Sequence, residues 1–424
     1  MVRGVRTLSF ALALTACSGS SPQATPAAGS SAPVGAGAPS GGASGTSQGG
    51  GSGTSAGAAL AGAGATSTVG GGGAASPAGG GGAASPAGGG GAASLAGGGS
   101  GGQGMPAPGT ELWQQKRATL LAIIGRPEVP LAATESPLPD DNGLTVADFS
   151  FASDEQTRIT GTSFAPKKTG PLPAVIFLHG TGGSRQDGFG LLRTLAGKGF
   201  FAVAIDARYH GAGKGQDPYF NAIYQAYVSG VGHPFLYDTV WDVMRLLDYL
   251  GGRAEVDAKR IGLVGSSKGG METYLTAAVE PRVAVAVPWI AVESFAWALD
   301  NDQWQARVGS IQGAFDQAAA HDGVPIDVAF VRKFYDRVVP GIYGELDGPA
   351  MVPAIAPRPL LAVNGDMDPR TPAGGLLLCE AAAKAAYAGN DDHFQLYREP
   401  NTAHAVTAEA TTMTVDWFVR WLAP

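Results

Sequence analysis

The fold class predicted from the sequence is α/β, with a doubly wound and mostly parallel sheet. Three observations predict it. Short apolar runs such as "PAVIFLHG", "FFAVAID", "RIGLVG" and "VAVAVPW" alternate with longer segments of helical spacing. The runs are continuous rather than alternating with polar residues, as in strands buried on both faces. The alternation fills roughly the last 315 of 424 residues, enough for one sizeable domain with its own core.

Everything before that domain is of another kind. From Thr7 to Thr110 there is no Asp, Glu, Lys or Arg. Arg3 and Arg6 precede the apolar stretch "TLSFALALTA", which is too short to span a bilayer and reads as an export signal over residues 1–17. The stretch ends in Leu14-Thr15-Ala16-Cys17, which resembles the lipobox of bacterial lipoproteins. That resemblance implies lipid attachment at Cys17, and Ser18 after it implies the outer membrane. The only other cysteine is Cys379, so a lipid on Cys17 leaves no disulfide partner.

Residues 18–109 are almost wholly Gly, Ala, Ser, Pro and Thr, with the unit "GGGGAASPA" twice and then "GGGGAASLA". Such a unit has almost nothing to bury and reads as a flexible tether. As a random coil it would reach on the order of 50 Å. The globular domain is then 110–424.

Within it, residues 144–164 alternate polar and apolar side chains and predict a leading β-hairpin. "PAVIFLHG" is the first buried strand, and "GFGLLRTLAGKG" a helix ending on Gly199. After the strand "FFAVAID" comes the amphipathic helix "YDTVWDVMRLLDYLGG". The strand "RIGLVG" leads into the helix "KGGMETYLTAAVE", and "VAVAVPW" follows. Residues from about 289 to 357 break this rhythm with helical stretches and predict a lid inserted before the penultimate strand. The strand "RPLLAVNGD", a helix, the strand "HFQLYRE" and a closing helix complete the chain.

The pattern G-x-S-x-G occurs around Ser47, Ser55, Ser100 and Ser267. The first three lie in the tether, where nothing could hold a strained turn. Ser267 stands between a strand and a helix, the junction that presents a serine oxygen at the top of a sheet. Gly265 and Gly269 flank it where the two backbones crowd. The turn also puts the N–H of Lys268 at a helix N-terminus, where negative charge is favoured. The Lys268 side chain is expected to point to solvent.

A serine hydroxyl needs a base. Of the six histidines, His404 in "NTAHAV" lies after the last strand and before the last helix, whereas His393 lies before that strand. The base needs an acid to fix its tautomer, and "NGDMDPRTP" offers Asp366 and Asp368. A second oxyanion N–H is expected from the turn in "LHGTGGS", from Thr181 or alternatively Gly182. His179 reads as structural, and Asp206, Arg208 and His210 in "DARYHG" as braces of their loop. No cluster has metal-ligand spacing and no phosphate or dinucleotide loop is present, so no cofactor or metal is expected. A net charge of −7 without a basic block argues against nucleic acid.

"LHGTGGS", "DARYHG", "VGSSKGG", "APRPLLAVNGDMDPRTP" and "NTAHAV" together resemble the α/β-hydrolase superfamily, in its dienelactone-hydrolase-like and acetyl-xylan-esterase-like branch. The block "WALDNDQWQARVGSIQ" resembles the lid of carboxylesterase-like members. The resemblance covers about residue 140 to the end. It implies a serine carboxylesterase working through an acyl-enzyme, with Ser267, Asp368 and His404 as the triad. Asp368 is preferred to Asp366 because its place before Pro369 resembles the pattern "GxxDPxxP". True dienelactone hydrolases carry cysteine where this chain has Ser267, which argues against dienelactone cleavage.

The expected substrate is a small-molecule or carbohydrate-linked ester, with membrane contact only through the lipid. The competing readings are a serine peptidase resembling the prolyl-oligopeptidase family, which lacks support for want of a propeller, and a silent binding module. Trp289, Trp297 and Trp304 in the lid could line a sugar or aromatic site, but such tryptophans more often pack the lid core.

Overall fold

A computed structural model describes residues 111–168, 170–211 and 214–423. All of them lie in the second of two units into which the chain divides, Gly102–Pro424. The export signal, Cys17 and the tether lie outside the described residues. The strands are β1 (Thr134–Asp141), β2 (Leu144–Ala152), β3 (Arg158–Pro166), β4 (Leu172–Leu178), β5 (Phe201–Ile205), β6 (Val256–Ser266), β7 (Val283–Trp289), β8 (Leu360–Gly365) and β9 (Phe394–Glu399). They form one sheet in the order β1-β2-β3-β5-β4-β6-β7-β8-β9.

The first three strands are antiparallel and β3 pairs antiparallel with β5. From β5 through β4, β6, β7 and β8 to β9 every pairing is parallel. The doubly wound, mostly parallel sheet is therefore as expected. β1 is not legible in the sequence: it is exposed along almost its whole length, so no buried face imprints a pattern on "TESPLPDD".

The central strands read as unbroken apolar runs because helices cover both faces. Val175 and Phe177 of β4 enter one core with Val285, Val287, Leu361 and Val363. Ile176 between them enters the other, with Ala286, Leu360 and Ala362. The first core is closed by α2 (Phe189–Gly197) and α12 (Ala408–Leu422). The second is closed by α1 (Glu111–Ile124), α4 (Tyr237–Gly251), α5 (Lys268–Val279) and α11 (Ala373–Ala386). α3 (Asp217–Ser229) precedes α4.

The insertion before the penultimate strand consists of α6 (Phe295–Asp300), α7 (Gln305–Val308), α8 (Gln312–Asp322), α9 (Val328–Val338) and α10 (Gly348–Met351), with short 3₁₀ turns. Aromatic rings weld it to α3: Phe315 and Phe334 stack with centroids 3.9 Å apart, and Tyr227 stacks on Phe334 at 5.2 Å. Trp289 belongs to β7 rather than to the insertion. Its Nε1 donates to Thr414 Oγ1 at 2.8 Å, so this indole is sheet core and lines no sugar site. Among the described residues no helix is long and apolar enough to cross a membrane.

Candidate active site

In an open parallel sheet the strands' carboxyl ends gather the loops that bind and react. Here the loops after β4, β6, β8 and β9 meet at one point. Ser267, just past β6, has φ 55° and ψ −115°, a backbone conformation that L-residues rarely adopt. Its N–H donates to the Trp289 carbonyl and its own carbonyl accepts from Met271 N–H, both at 2.9 Å. The turn is therefore pinned from β7 and from the first turn of α5.

The flanking glycines are required by contact. A Cβ on Gly265 would lie 2.3 Å from the Gly269 carbonyl oxygen, and one on Gly269 would lie 2.2 Å from that of Leu178. Real atoms cannot approach so closely, so strand and helix touch backbone to backbone. Gly180 packs beside the serine: a Cβ there would be 3.6 Å from Ser267 Cβ. The turn that carries Thr181 thus lies against Ser267, closed by Gly183 N–H on the Gly180 carbonyl at 3.1 Å.

His404 stands between two partners. Its Nδ1 is 2.7 Å from Asp368 Oδ2 and its Nε2 2.8 Å from Ser267 Oγ. An ionised carboxylate only accepts, so the ring proton sits on Nδ1 and the serine hydroxyl donates to Nε2. Asp368 is buried, and burial alone would raise its pKa. The hydrogen bonds from His404 and from the Arg370 N–H outweigh that and hold the carboxyl below the usual range. Asp366 is exposed and accepts from Thr402 N–H at 3.3 Å, holding the loop instead.

Lys268 opens α5, so its N–H is a first-turn donor without an intrahelical acceptor. Its side chain departs from expectation: the residue is 1% exposed, and Nζ donates to Glu272 Oε1 at 2.7 Å. The reason is that α5 has no solvent face, every residue from Lys268 to Val279 being buried. Sequence reasoning misses Glu272. The signal that marks it is an opposite charge four residues after Lys268 in an otherwise apolar helix.

The loop residues brace as read from the sequence. His179 Nε2 accepts from Ala207 N–H at 3.0 Å, and its Nδ1 donates to the Gly180 carbonyl at 2.7 Å. Asp206 accepts from Arg185 N–H at 2.8 Å. Arg208 donates to Asp242 and Asp154 at 2.6 Å and 2.8 Å, and His210 Nδ1 donates to the Arg208 carbonyl at 2.9 Å. Among the described residues no group of three His, Cys, Asp or Glu side chains is placed to hold a metal ion.

An activated hydroxyl at a strained strand-to-helix turn, beside backbone N–H groups, is suited to attack on a carbonyl carbon. Residues 113–305 match the acetyl xylan esterase (AXE1) family model. YtaP of Bacillus subtilis (strain 168), named as a hydrolase, is 28% identical over 275 residues, covering 61% of this chain and 81% of its own. YitV of the same strain, named as an esterase, is 26% identical over 260 residues, covering 59% and 90%. The acetyl xylan esterase of Paenibacillus sp. R4 superposes with a TM-score of 0.53 at 20% identity, over 73% of this chain and 93% of that one. Acetyl xylan esterase 1 of Thermoanaerobacterium sp. JW/SL YS485 gives 0.53 at 19% identity, over 73% and 94%. At such identities the two structures speak to the fold, and the family model and the relatives to the chemistry. With its sheet, its insertion and these matches, the chain has the α/β-hydrolase fold and is a carboxylesterase-type hydrolase, similar over residues 113–305 to the acetyl xylan esterases.

Proposed function

We propose that the chain is a serine carboxylesterase working through an acyl-enzyme. The observation that carries this reading is the pair of hydrogen bonds of His404, one to Ser267 and one to Asp368. His404 takes the serine proton as the oxygen attacks the ester carbonyl. The N–H groups of Thr181 and Lys268 receive the oxyanion, and His404 returns the proton to the leaving alcohol. Water then repeats the sequence and frees the acid. Asp368 stabilises the imidazolium that forms in each half.

The substrate class is an ester of a small acid, free or carried on a carbohydrate. The similarity of residues 113–305 to acetyl xylan esterases favours an acetyl group on a sugar hydroxyl. The same proposal displays the domain from the outer membrane through a lipid on Cys17 and the tether 18–109.

The test is hydrolysis of p-nitrophenyl acetate and of acetylated xylan by the purified chain, with Ser267→Ala beside it. Full activity in Ser267→Ala would sink the reading, and faster cleavage of aminoacyl-nitroanilides than of esters would redirect it to a peptidase. For the anchor, Cys17→Ser should release the protein from the membrane fraction. Unchanged membrane association would remove that part.

A further inference from the structure

Lys268 runs against two rules of helix chemistry, and its burial makes a further demand. It is a cation in the first turn of α5, where the aligned peptide dipoles favour anions. It is fully buried, where an ammonium persists only with a partner. Its partner Glu272 follows by four residues, the less favourable order for such a pair. Well-packed apolar side chains of similar volume commonly hold a fold as well as a buried ion pair, or better. Local rules broken together at one position point to a task other than stability.

The surroundings of the side chain identify that task. Lys268 Nζ lies 5.9 Å from the centre of the Tyr219 ring, within reach of the negative face of the ring. Tyr219 packs on His210 with ring centroids 4.2 Å apart, and His210 packs on His179 at 4.9 Å. His179 donates its Nδ1 proton to the Gly180 carbonyl, the same oxygen that closes the turn carrying Thr181. None of Lys268, Tyr219, His210 and His179 is more than 2% exposed. A buried stack therefore runs from the side chain of one residue assigned an oxyanion N–H to the turn that holds the other. Burial first and the nearby Lys268 charge second hold both imidazoles neutral. Neutrality is what the His179 bonds require, because Nε2 must keep a lone pair for Ala207 N–H.

Resting on the esterase reading above, we propose that the Lys268 side chain is a positioning residue. Clamped by Glu272, it fixes through Tyr219, His210 and His179 the separation between the N–H groups of Lys268 and Thr181. It touches no reacting atom. A donor pair preset to the oxyanion rather than to the planar ester contributes to turnover and not to substrate binding. The role is therefore read in kcat.

The experiment uses the full chain with Lys268→Met/Glu272→Leu, which replaces the pair by apolar side chains and keeps both backbone N–H groups. kcat and KM on p-nitrophenyl acetate, affinity for a trifluoromethyl ketone transition-state analogue, and Tm are measured against wild type. The expected result is kcat at least tenfold lower, KM within twofold, the analogue bound at least tenfold more weakly, and Tm equal or higher. Wild-type kcat, or a loss no larger than the unfolded fraction, overturns the proposal. If the double variant does not fold, Glu272→Gln keeps the shape while weakening the clamp. It is expected to lower kcat threefold or more at constant KM, and unchanged kcat in it is equally fatal. Failure of the esterase reading shows separately, as a wild-type chain inert toward esters, and removes this proposal with it.

Discussion

The Nε2 of His404 lies 2.8 Å from the Oγ of Ser267, although 137 residues of chain separate the two. Ser267 follows β6 and His404 follows β9, the outermost strand, so β7 and β8 stand between the strands that carry them. The loop after β9 spans that gap. A Cβ on Gly365 would lie 2.2 Å from the Thr402 carbonyl oxygen, so the end of β8 and the loop bearing His404 meet backbone to backbone. In the proposed mechanism, the proton that Ser267 gives up thus has its acceptor in place before any ester arrives.

Asp368 and Asp366 are separated by one residue and by their partners. Asp368→Asn removes the acceptor that fixes the His404 Nδ1 proton and stabilises the imidazolium. A fall in kcat on the order of a thousandfold or more is expected. Asp366→Asn touches only the Thr402 N–H bond and should keep kcat within about threefold. Steady-state kinetics of both variants on p-nitrophenyl acetate check the assignment, and the reverse ranking would transfer the role to Asp366.

Glycines in one chain should differ sharply in their tolerance of a methyl group. Gly269→Ala drives a Cβ into the Leu178 and His179 carbonyl oxygens at 2.2 and 2.7 Å, and backbone cannot step aside as a flexible side chain can. A loss of about 3 kcal/mol or more is expected. Gly190, inside α2, has open space where a Cβ would stand, with no neighbour within 4 Å. Gly190→Ala should be neutral or stabilising by about 0.5–1 kcal/mol. Urea unfolding of the two variants measures the difference.

Legibility follows burial. Strands β4, β5, β7 and β8 are buried along their whole length and spell themselves out as apolar runs. Their ends locate the loops that converge on Ser267, and chain order locates His404. β1 is invisible because it has no buried face, and α1 and α3 escape a reading by periodicity. In α1 the buried side chains, among them Leu120 and Ile124, are diluted by charged and polar neighbours. Lys268 is misjudged when a rule about single residues, that lysine seeks water, is applied without its helix. α5 is enclosed on all sides, and the compensating charge of Glu272 is one turn away. The strain at Ser267 is legible only as the two glycines that make it possible.

The insertion is tied to the sheet by a buried ion pair whose halves should not be separable. Arg307 in α7 pairs with Glu293, just after β7, and neither side chain is more than 4% exposed. Burial draws the Arg307 guanidinium down to about 10, still charged at neutral pH. Its guanidinium also lies over the Phe295 ring, 4.9 Å from the centroid. Arg307→Met leaves the Glu293 carboxylate buried without a counter-charge, a loss of about 3–5 kcal/mol. Arg307→Met/Glu293→Gln should recover more than half of that. Denaturant midpoints of the single and double variants supply the coupling, and additive losses would show that the pair does not act as a unit.

Acid should begin to destabilise the domain above the carboxylate range, because two imidazoles held neutral in the fold take up protons on unfolding. Burial, with the Lys268 ammonium second, lowers His179 to about 3 and His210 to about 2, against an ordinary value near 6.5. Between those limits the unfolded chain holds protons that the folded chain does not, so stability increases with pH across the window. The contribution is complete above about 6.5 and is lost progressively as pH falls, at up to about 1.4 kcal/mol per pH unit for each imidazole. Asp368, held low by His404 despite its burial, acts with the same sign but only further into acid. The two imidazoles should therefore contribute about two protons to the uptake on unfolding at pH 5, offset in part by the raised carboxyls of Asp242, Glu272 and Asp347, and calorimetry in buffers of different ionisation enthalpy reads it. His210→Gln should remove about one of the two protons. A stability curve flat from pH 7 to pH 5 would mean that these histidines are already charged in the folded protein, and that the hydrogen bond from Ala207 N–H to His179 does not form.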